Sequence, residues 1–299
     1  MTEKSRLHII LAGASFILIN SVSPSYAQNK APNDDNDATP SFDDKSFEED
    51  YESVPLYSDR DITFITGYDH SSGKFNLPTT TNISYVPYSL RYRIGKLGFR
   101  ASSGYISFAA PRNVVTAVEG TPLVTDVRLS DKDKLQTRRK NGFGDVYLSA
   151  SYSYDNPFNN DLYIDFTAKV KIPTADENKG LGTGKVDYTG QIDVSYLFGN
   201  FMPYGTIGYR VIGKNQLYDL QNSLFASIGM AYYLTYDTSI GVSYDYRESA
   251  TPNFNSPKEI FAYTDIQLNE NWGLNVYGVV GLNNVTTDYG AGTQIRYKF

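Results

Sequence analysis

The sequence contains no cysteine among its 299 residues. This absence excludes a disulfide framework, a thiolate metal site and the lipid-modified cysteine of a lipoprotein. Histidine is almost as scarce, because only His70 lies beyond the first 27 residues. Without a second imidazole or a thiolate beside it, His70 is a poor candidate for a metal ligand. The sequence therefore predicts neither a metal site nor a cofactor.

Long hydrophobic runs are also missing. Residues 7–19 form an apolar stretch that is shorter than the roughly 18 residues of a membrane-spanning helix. This stretch follows Lys4 and Arg6 and precedes the small residues Ser25 and Ala27, an order that is typical of a signal peptide. We therefore interpret residues 1–27 as a signal peptide that is cleaved after Ala27.

An excess of charge is confined to one segment. Residues 28–55 contain two basic and nine acidic residues, whereas residues 56–299 contain 23 of each. The acidic segment has little apolar surface to bury, so we interpret it as a flexible periplasmic tail, with a plug or a docking peptide as the alternative. The neutral body lacks the basic face of a nucleic-acid-binding protein.

Aromatic residues are abundant, with 26 tyrosines and 16 phenylalanines. From residue 57 onward, apolar and polar residues alternate with a period of two, the pattern of a half-buried β-strand. The clearest example has Ile295, Tyr297 and Phe299 on one face, with Arg296 and Lys298 on the other. The polar face is rich in glycine, serine and charge, and tyrosines lie near strand ends, as in membrane barrels. This pattern predicts an all-β fold, a closed antiparallel transmembrane β-barrel.

Twelve segments show this alternation, and bacterial single-chain barrels have an even number of strands. The segments are residues 61–68, 82–94, 97–108, 143–154, 162–172, 187–198, 201–212, 221–234, 238–247, 258–268, 272–282 and 288–299. The even-numbered connections are short, at 95–96, 155–160, 199–200, 235–237 and 269–271, whereas the odd-numbered ones are mostly longer, at 69–81, 109–142, 173–186, 213–220, 248–257 and 283–287. Short turns belong in the periplasm and long loops outside. The sequence thus predicts that residues 56–299 form a barrel in a bacterial outer membrane, closed by pairing of its first and last strands.

Several motifs in the middle of the chain resemble those of a known family. They are, in chain order, Gly142-Phe143-Gly144-Asp145, Lys171-Ile172-Pro173-Thr174, Gly180-Leu181-Gly182-Thr183-Gly184, Asp187-Tyr188 and Gly208-Tyr209. Their order and spacing resemble the outer-membrane transporter family named for the meta-cleavage (MetA) pathway of phenol degradation, best over residues 142–212. The resemblance implies a porin-like transporter for aromatic or other small organic solutes. It carries no functional residues over to this chain.

Charged side chains at inward-facing strand positions are the candidate pore-lining residues. Near the outer mouth, strand direction places Asp145, Lys169, Lys171, Asp187, Arg210, Asp245, Arg247 and Asp288. Near the periplasmic end, it places Arg91, Arg93, Arg100, Asp165, Asp193, Asp265, Arg296 and Lys298. The five cations of the second set lie on strands 12, 2 and 3, so they form a basic arc of the wall. The arc either orients and selects solutes or belongs to ion pairs that fill a closed interior.

Three functions fit these features. The first is a porin-like channel for small, aromatic or anionic solutes, surrounded by outer-membrane lipid and inserted by assembly machinery that reads Phe299. The second is a non-conducting structural or adhesive barrel. The third is a lipid-modifying enzyme that uses His70, which a nucleophile within hydrogen-bond reach of this histidine would support. A single histidine beside Ser71 and Ser72 is a weak catalytic signal, so we expect the protein not to be an enzyme.

Overall fold

Extended strands make up nearly all of the regular structure. The computed structural model describes residues 60–75, 79–110, 114–118, 121–124, 138–155, 161–214, 219–252 and 254–299. The predicted signal peptide and acidic tail lie outside the described residues. Among the residues that are described, no helix is both long and apolar enough to cross a bilayer.

The described chain contains fifteen strands and one short helix. The strands are β1 (Asp61–Gly73), β2 (Thr81–Ile94), β3 (Leu97–Ala110), β4 (Val114–Val118), β5 (Thr121–Val124), β6 (Arg138–Phe143), β7 (Val146–Asp155), β8 (Leu162–Ile172), β9 (Asp187–Tyr196), β10 (Phe201–Val211), β11 (Ser223–Tyr233), β12 (Thr238–Arg247), β13 (Lys258–Gln267), β14 (Trp272–Gly281) and β15 (Tyr289–Lys298). The helix is a 3₁₀ turn, Glu177–Lys179. Strands β4 and β5 form a separate hairpin within the long second outer connection, between β3 and β6.

The main sheet closes on itself. Every neighbouring pair is antiparallel, and β1 pairs with β15 over the register from Thr63 opposite Lys298 to Ser72 opposite Tyr289. Strand β1 also pairs with β2, and β2 with β3, so no edge remains open to lipid. With β6 and β7 counted as one interrupted strand, the barrel has the twelve strands that the alternation predicts.

A β-bulge interrupts the strand formed by β6 and β7. Phe143 pairs with Tyr105, and Tyr147 pairs with Ser102. This strand therefore advances by four residues over a stretch in which β3 advances by three. The extra residue reverses the facing of the strand. Phe143 is therefore exposed on the outer wall, whereas Asp145 is buried inside.

Most predicted strand ends lie within two residues of those in the structure, and two differ by five residues. Strand β1 continues to Gly73 rather than ending at residue 68, and the fourth barrel strand begins at Arg138 rather than at residue 143. Both extensions are polar, which is the usual composition of a loop. They remain in the ladder because β2, β3 and β15 are long enough to supply partners beyond the apolar part of the wall.

The outer wall is apolar and its aromatic residues concentrate near the strand ends. Exposed rings near the outer mouth include Tyr68, Tyr105, Tyr188, Tyr209 and Tyr289, and those near the short turns include Tyr154, Phe198, Phe201, Trp272 and Phe299. Two such belts are typical of the interfaces that flank the apolar band of a membrane barrel. The fold and its surface are those of a bacterial outer-membrane protein.

Candidate functional site: the barrel interior

The structure places the predicted charged residues on the inner face of the barrel. Eleven of the sixteen are buried, namely Arg91, Arg100, Asp145, Asp165, Lys169, Lys171, Asp187, Asp193, Arg210, Asp265 and Arg296. Arg93, Asp245, Arg247 and Lys298 are half-buried. Asp288 is exposed at the rim because β15 begins one residue later.

Lys171 is the centre of a polar cluster at the outer mouth. Its Nζ lies 2.9 Å from Asp187 Oδ2 and 3.5 Å from Asp145 Oδ2, and it donates a hydrogen bond of 2.8 Å to Thr183 Oγ1. The carboxylates also accept backbone hydrogen bonds, Asp145 from Ala175 and Asp187 from Gly213. We call Lys171, Asp145, Asp187 and Thr183 the mouth clamp.

The mouth clamp holds residues 173–186 against the interior. Asp176 caps the 3₁₀ turn, and Gly180 then adopts a left-handed conformation with φ of 69°. A Cβ at Gly182 would lie 3.0 Å from the Ala175 side chain and 2.9 Å from the Asp145 carboxylate, so only glycine fits there. The glycine-rich segment is therefore an inward-folded loop, a feature that the sequence analysis did not identify.

Leu181 anchors this loop in an apolar cluster, which we call the mouth cluster. Leu181 is 2 % exposed. The mouth cluster consists of Phe75, Ile83, Tyr85, Ile106, Phe108, Ala110 and Leu181. It fills the outer end of the interior on the side of β2 and β3. An apolar leucine within a glycine-rich loop was the sequence signal for this contact.

A second apolar group, the aromatic wall, covers the inner face of β10 to β14. It consists of Met202, Tyr204, Ala231, Tyr233, Phe261, Tyr263 and Val279, with Leu197 and Tyr277 packed against it. The Phe261 ring centroid lies 5.2 Å from that of Tyr277 and 5.7 Å from that of Tyr263. Sequence analysis did not place these rings inside, because tyrosine is amphipathic and occupies either face of a barrel wall.

The basic arc lies at the periplasmic end and is partly neutralised. Arg296 donates hydrogen bonds of 2.5 Å and 3.0 Å to the two carboxylate oxygens of Asp265. Its guanidinium reaches across β14 over Gly273, where a Cβ would collide with it. Lys298 lies 4.0 Å from Asp61, and Arg91 donates to Thr63 Oγ1 at 3.4 Å. The acid on β13 thus reaches the arc. Asp165 accepts a hydrogen bond from Ser153 and lies within electrostatic reach of Arg93, whereas Asp193 accepts a hydrogen bond from Thr206.

Comparison with known proteins agrees with this architecture. A family described as "Putative MetA-pathway of phenol degradation" matches residues 60–299, which is most of the chain. The chain belongs to this family. No curated protein matches it significantly.

Solved structures similar to this chain include outer-membrane proteins. A COG4313 outer membrane channel from Pseudomonas putida F1 aligns with a TM-score of 0.60 and 13 % identity, over 85 % of this chain and 100 % of that one. The KdgM porin aligns with a TM-score of 0.47 and 10 % identity, over 79 % and 99 % of the two chains. The toluene transporter TodX of P. putida aligns with a TM-score of 0.39 and 10 % identity, over 80 % and 88 %. At its low identity, the first likeness establishes the fold alone, and the other two carry no further argument.

His70 of this MetA-pathway family member lies on the outer wall and not in the interior. It is an exposed residue of β1, and its Nδ1 lies 3.1 Å from Ser84 Oγ, which is also 3.1 Å from the Tyr68 hydroxyl. A nucleophile within reach of His70 was the observation that would favour an enzyme. Among the described residues, however, the His70 ring has no hydrogen-bonding carboxylate to orient it, and the adjacent Asp69 faces inward.

Proposed function

We propose that the protein is a porin-like channel that carries small aromatic or anionic solutes across the outer membrane. The observation that carries this proposal is the composition of the interior. One side presents the aromatic wall, and the periplasmic end presents the basic arc. A barrel with a purely structural role needs neither an apolar interior surface nor a concentration of buried cations.

The two surfaces have different effects on a solute. The rings of Tyr204, Phe261 and Tyr263 offer an apolar surface for a flat organic solute. Arg91 and Arg100 attract a carboxylate or another anionic group at the periplasmic end. Passage follows the concentration gradient and requires no cofactor and no covalent step.

The inward-folded loop controls access at the outer mouth. Residues 173–186 occupy the mouth on the side of β2 and β3, and the mouth clamp fixes them there. A solute therefore enters beside the loop, on the side of the aromatic wall. Rearrangement of the loop would widen the entrance.

Three further assignments belong to the proposal. Residues 1–27 are removed on export, and residues 28–55 form a tail on the periplasmic side. Phe299, which is 70 % exposed, is the aromatic residue that barrel-assembly machinery recognises. Lipid surrounds the apolar band between the two aromatic belts.

Conductance and solute uptake test the channel function together. The purified, refolded protein should produce discrete current steps in a planar bilayer. Liposomes that contain it should take up benzoate faster than cyclohexanecarboxylate, which has the same charge without the flat ring. Absence of both current steps and protein-dependent uptake would contradict the channel and favour a non-conducting barrel.

The contact between His70 and Ser84 favours a second candidate function, a lipid-modifying enzyme. Both side chains lie on the lipid-facing wall near the outer mouth, where an acyl chain has access. The absence of an orienting acid among the described neighbours of His70 argues against it. Lipid analysis of a His70 variant, described in the Discussion, separates this candidate from the channel.

A further inference from the structure

Asp69 is a buried acid that the sequence analysis did not include among the pore-lining residues. It lies on the inner face of β1, in the outer half of the strand, and is 7 % exposed. Its neighbours across the ladder are Tyr85 on β2 and Gly292 on β15. It is separate from the mouth clamp, which is built on β7, β8 and β9 and the loop 173–186.

One oxygen of this carboxylate is unsatisfied. Asp69 Oδ1 is buried without a hydrogen-bond partner among the described residues. The hydroxyl of Ser71, two residues closer to the mouth on the same face, is likewise buried without a partner. Asp165, Asp193 and Asp265, in contrast, all accept hydrogen bonds from side chains. A buried polar group without a protein partner calls for an explanation, such as an ordered water, a bound ion or molecule, or a functional role.

Asp69 lies between the two apolar groups of the interior. On one side, β2 contributes Ile83 and Tyr85 of the mouth cluster. On the other side, beyond β15, β14 contributes Tyr277 and Val279.

The intervening strand makes room for this arrangement. A Cβ at Gly292 would collide with Asp69 Oδ1 and would lie 2.5 Å from the Tyr277 ring. The glycine therefore lets the carboxylate and the ring lie side by side against the wall. The result is a single hydrogen-bond acceptor set between apolar surfaces.

We propose that Asp69 is the polar anchor of a solute-binding site in the outer half of the interior. The site takes a solute with an apolar, ring-sized body and one hydrogen-bond donor, an ammonium or a hydroxyl group. The body contacts Tyr277 and Val279 on one side and Ile83 on the other. The donor bonds to the carboxylate, and the hydroxyl of Ser71 accepts or donates a second hydrogen bond. This inference deepens the proposed channel function, because the solute must enter the interior to reach the site.

Binding of three matched probes to the detergent-folded protein tests the site. The probes are benzylammonium, benzyl alcohol and ethylbenzene, which share one ring and differ in their polar group. Titration calorimetry with a protein-free micelle blank should give the strongest binding for benzylammonium, then benzyl alcohol, then ethylbenzene. Because a charge-assisted hydrogen bond is lost, Asp69→Asn should weaken benzylammonium about tenfold and leave ethylbenzene unchanged. Asp288→Asn removes the same charge at the exposed rim and should change nothing.

Several results would overturn the site. Equal affinity of the wild type for benzylammonium and ethylbenzene would do so without any variant. The site would also be overturned if folded Asp69→Asn still preferred benzylammonium to ethylbenzene. If Asp69→Asn does not fold, Asp69→Ser serves for the same measurement. The same samples are measured for conductance without a probe. Normal conductance without the probe preference refutes the site alone, whereas the preference without conductance refutes the channel alone.

Discussion

Lys171 and Asp187 are register partners on β8 and β9, and their charged groups meet 2.9 Å apart where the inward-folded loop begins and ends. Both side chains are almost fully buried. The pair therefore closes the loop 173–186 at its base, and Asp145 and Thr183 extend the contact to the neighbouring strand and into the loop. In the proposed channel, access to the outer mouth depends on this one cation.

Lys171→Met should loosen the outer mouth. The substitution leaves two buried carboxylates without their cation, which typically costs about 3–5 kcal/mol. We expect a lower free energy of unfolding in urea and larger or noisier current steps, because the loop is released. Lys179→Met is the matched control, since the pair of Lys179 with Asp176 lies in the same loop but is exposed and contributes little. Unchanged conductance in folded Lys171→Met would show that the loop does not limit the mouth.

Strand facing was predictable because burial inside a barrel imposes a strict period of two. The pattern of β8 placed Asp165, Lys169 and Lys171 inside, and all three are buried. Asp145 is buried on the face that the alternation of β7 predicts for it, whereas the outward facing of Phe143 depends on a bulge that alternation alone does not predict. The structure confirms the number of strands. That number was predictable because each turn interrupts the alternation.

Other features depend on contacts between distant parts of the chain, which a local pattern does not contain. Asp265 reaches Arg296 only because Gly273 lies between them without a side chain. The inward fold of Leu181 depends on apolar residues of β2 and β3, which are far away in sequence. Asp69 was not predicted to face inward, because it is followed by the polar residues 70–73, which resemble a loop.

His70→Ala should leave membrane lipids unchanged. The channel function does not use this residue, which lies on the outer wall with Ser84 as its hydrogen-bond partner. Mass spectrometry of phospholipids and lipid A would be compared between cells that express the wild type, His70→Ala and Ser84→Ala. A change in acylation that requires both residues would establish the enzyme in place of the channel as the main function.

Deletion of residues 28–55 should leave a folded barrel. The ladder that closes the barrel begins at Asp61, and β1 finds its partners in β2 and β15. The refolded truncated protein should therefore migrate differently on a gel before and after heating, as an intact barrel does. A truncated chain that does not refold would show that the segment is an integral part of the barrel.

Arg91→Ala combined with Arg93→Ala should reduce the anion preference of the channel. Arg91, Arg93 and Arg100 lie on adjacent strands of the periplasmic half, so they raise the local concentration of anions in a narrow, weakly screened interior. Arg296 contributes less because Asp265 neutralises it. We expect weak anion preference in the wild type and a reversal potential closer to zero in the double variant.

The reversal potential in a salt gradient measures this preference directly, and Arg139→Ala provides the control. Arg139 is an exposed residue of β6 near the outer mouth, so its removal changes the net charge without altering the interior. Its effect should be small and should vanish at high salt, since screening acts over roughly 10 Å at 0.1 M. The effect of the double variant should persist, because its charges are shielded from bulk solution. Cation preference in the wild type, or an identical reversal potential in the double variant, would exclude a selective role for the basic arc.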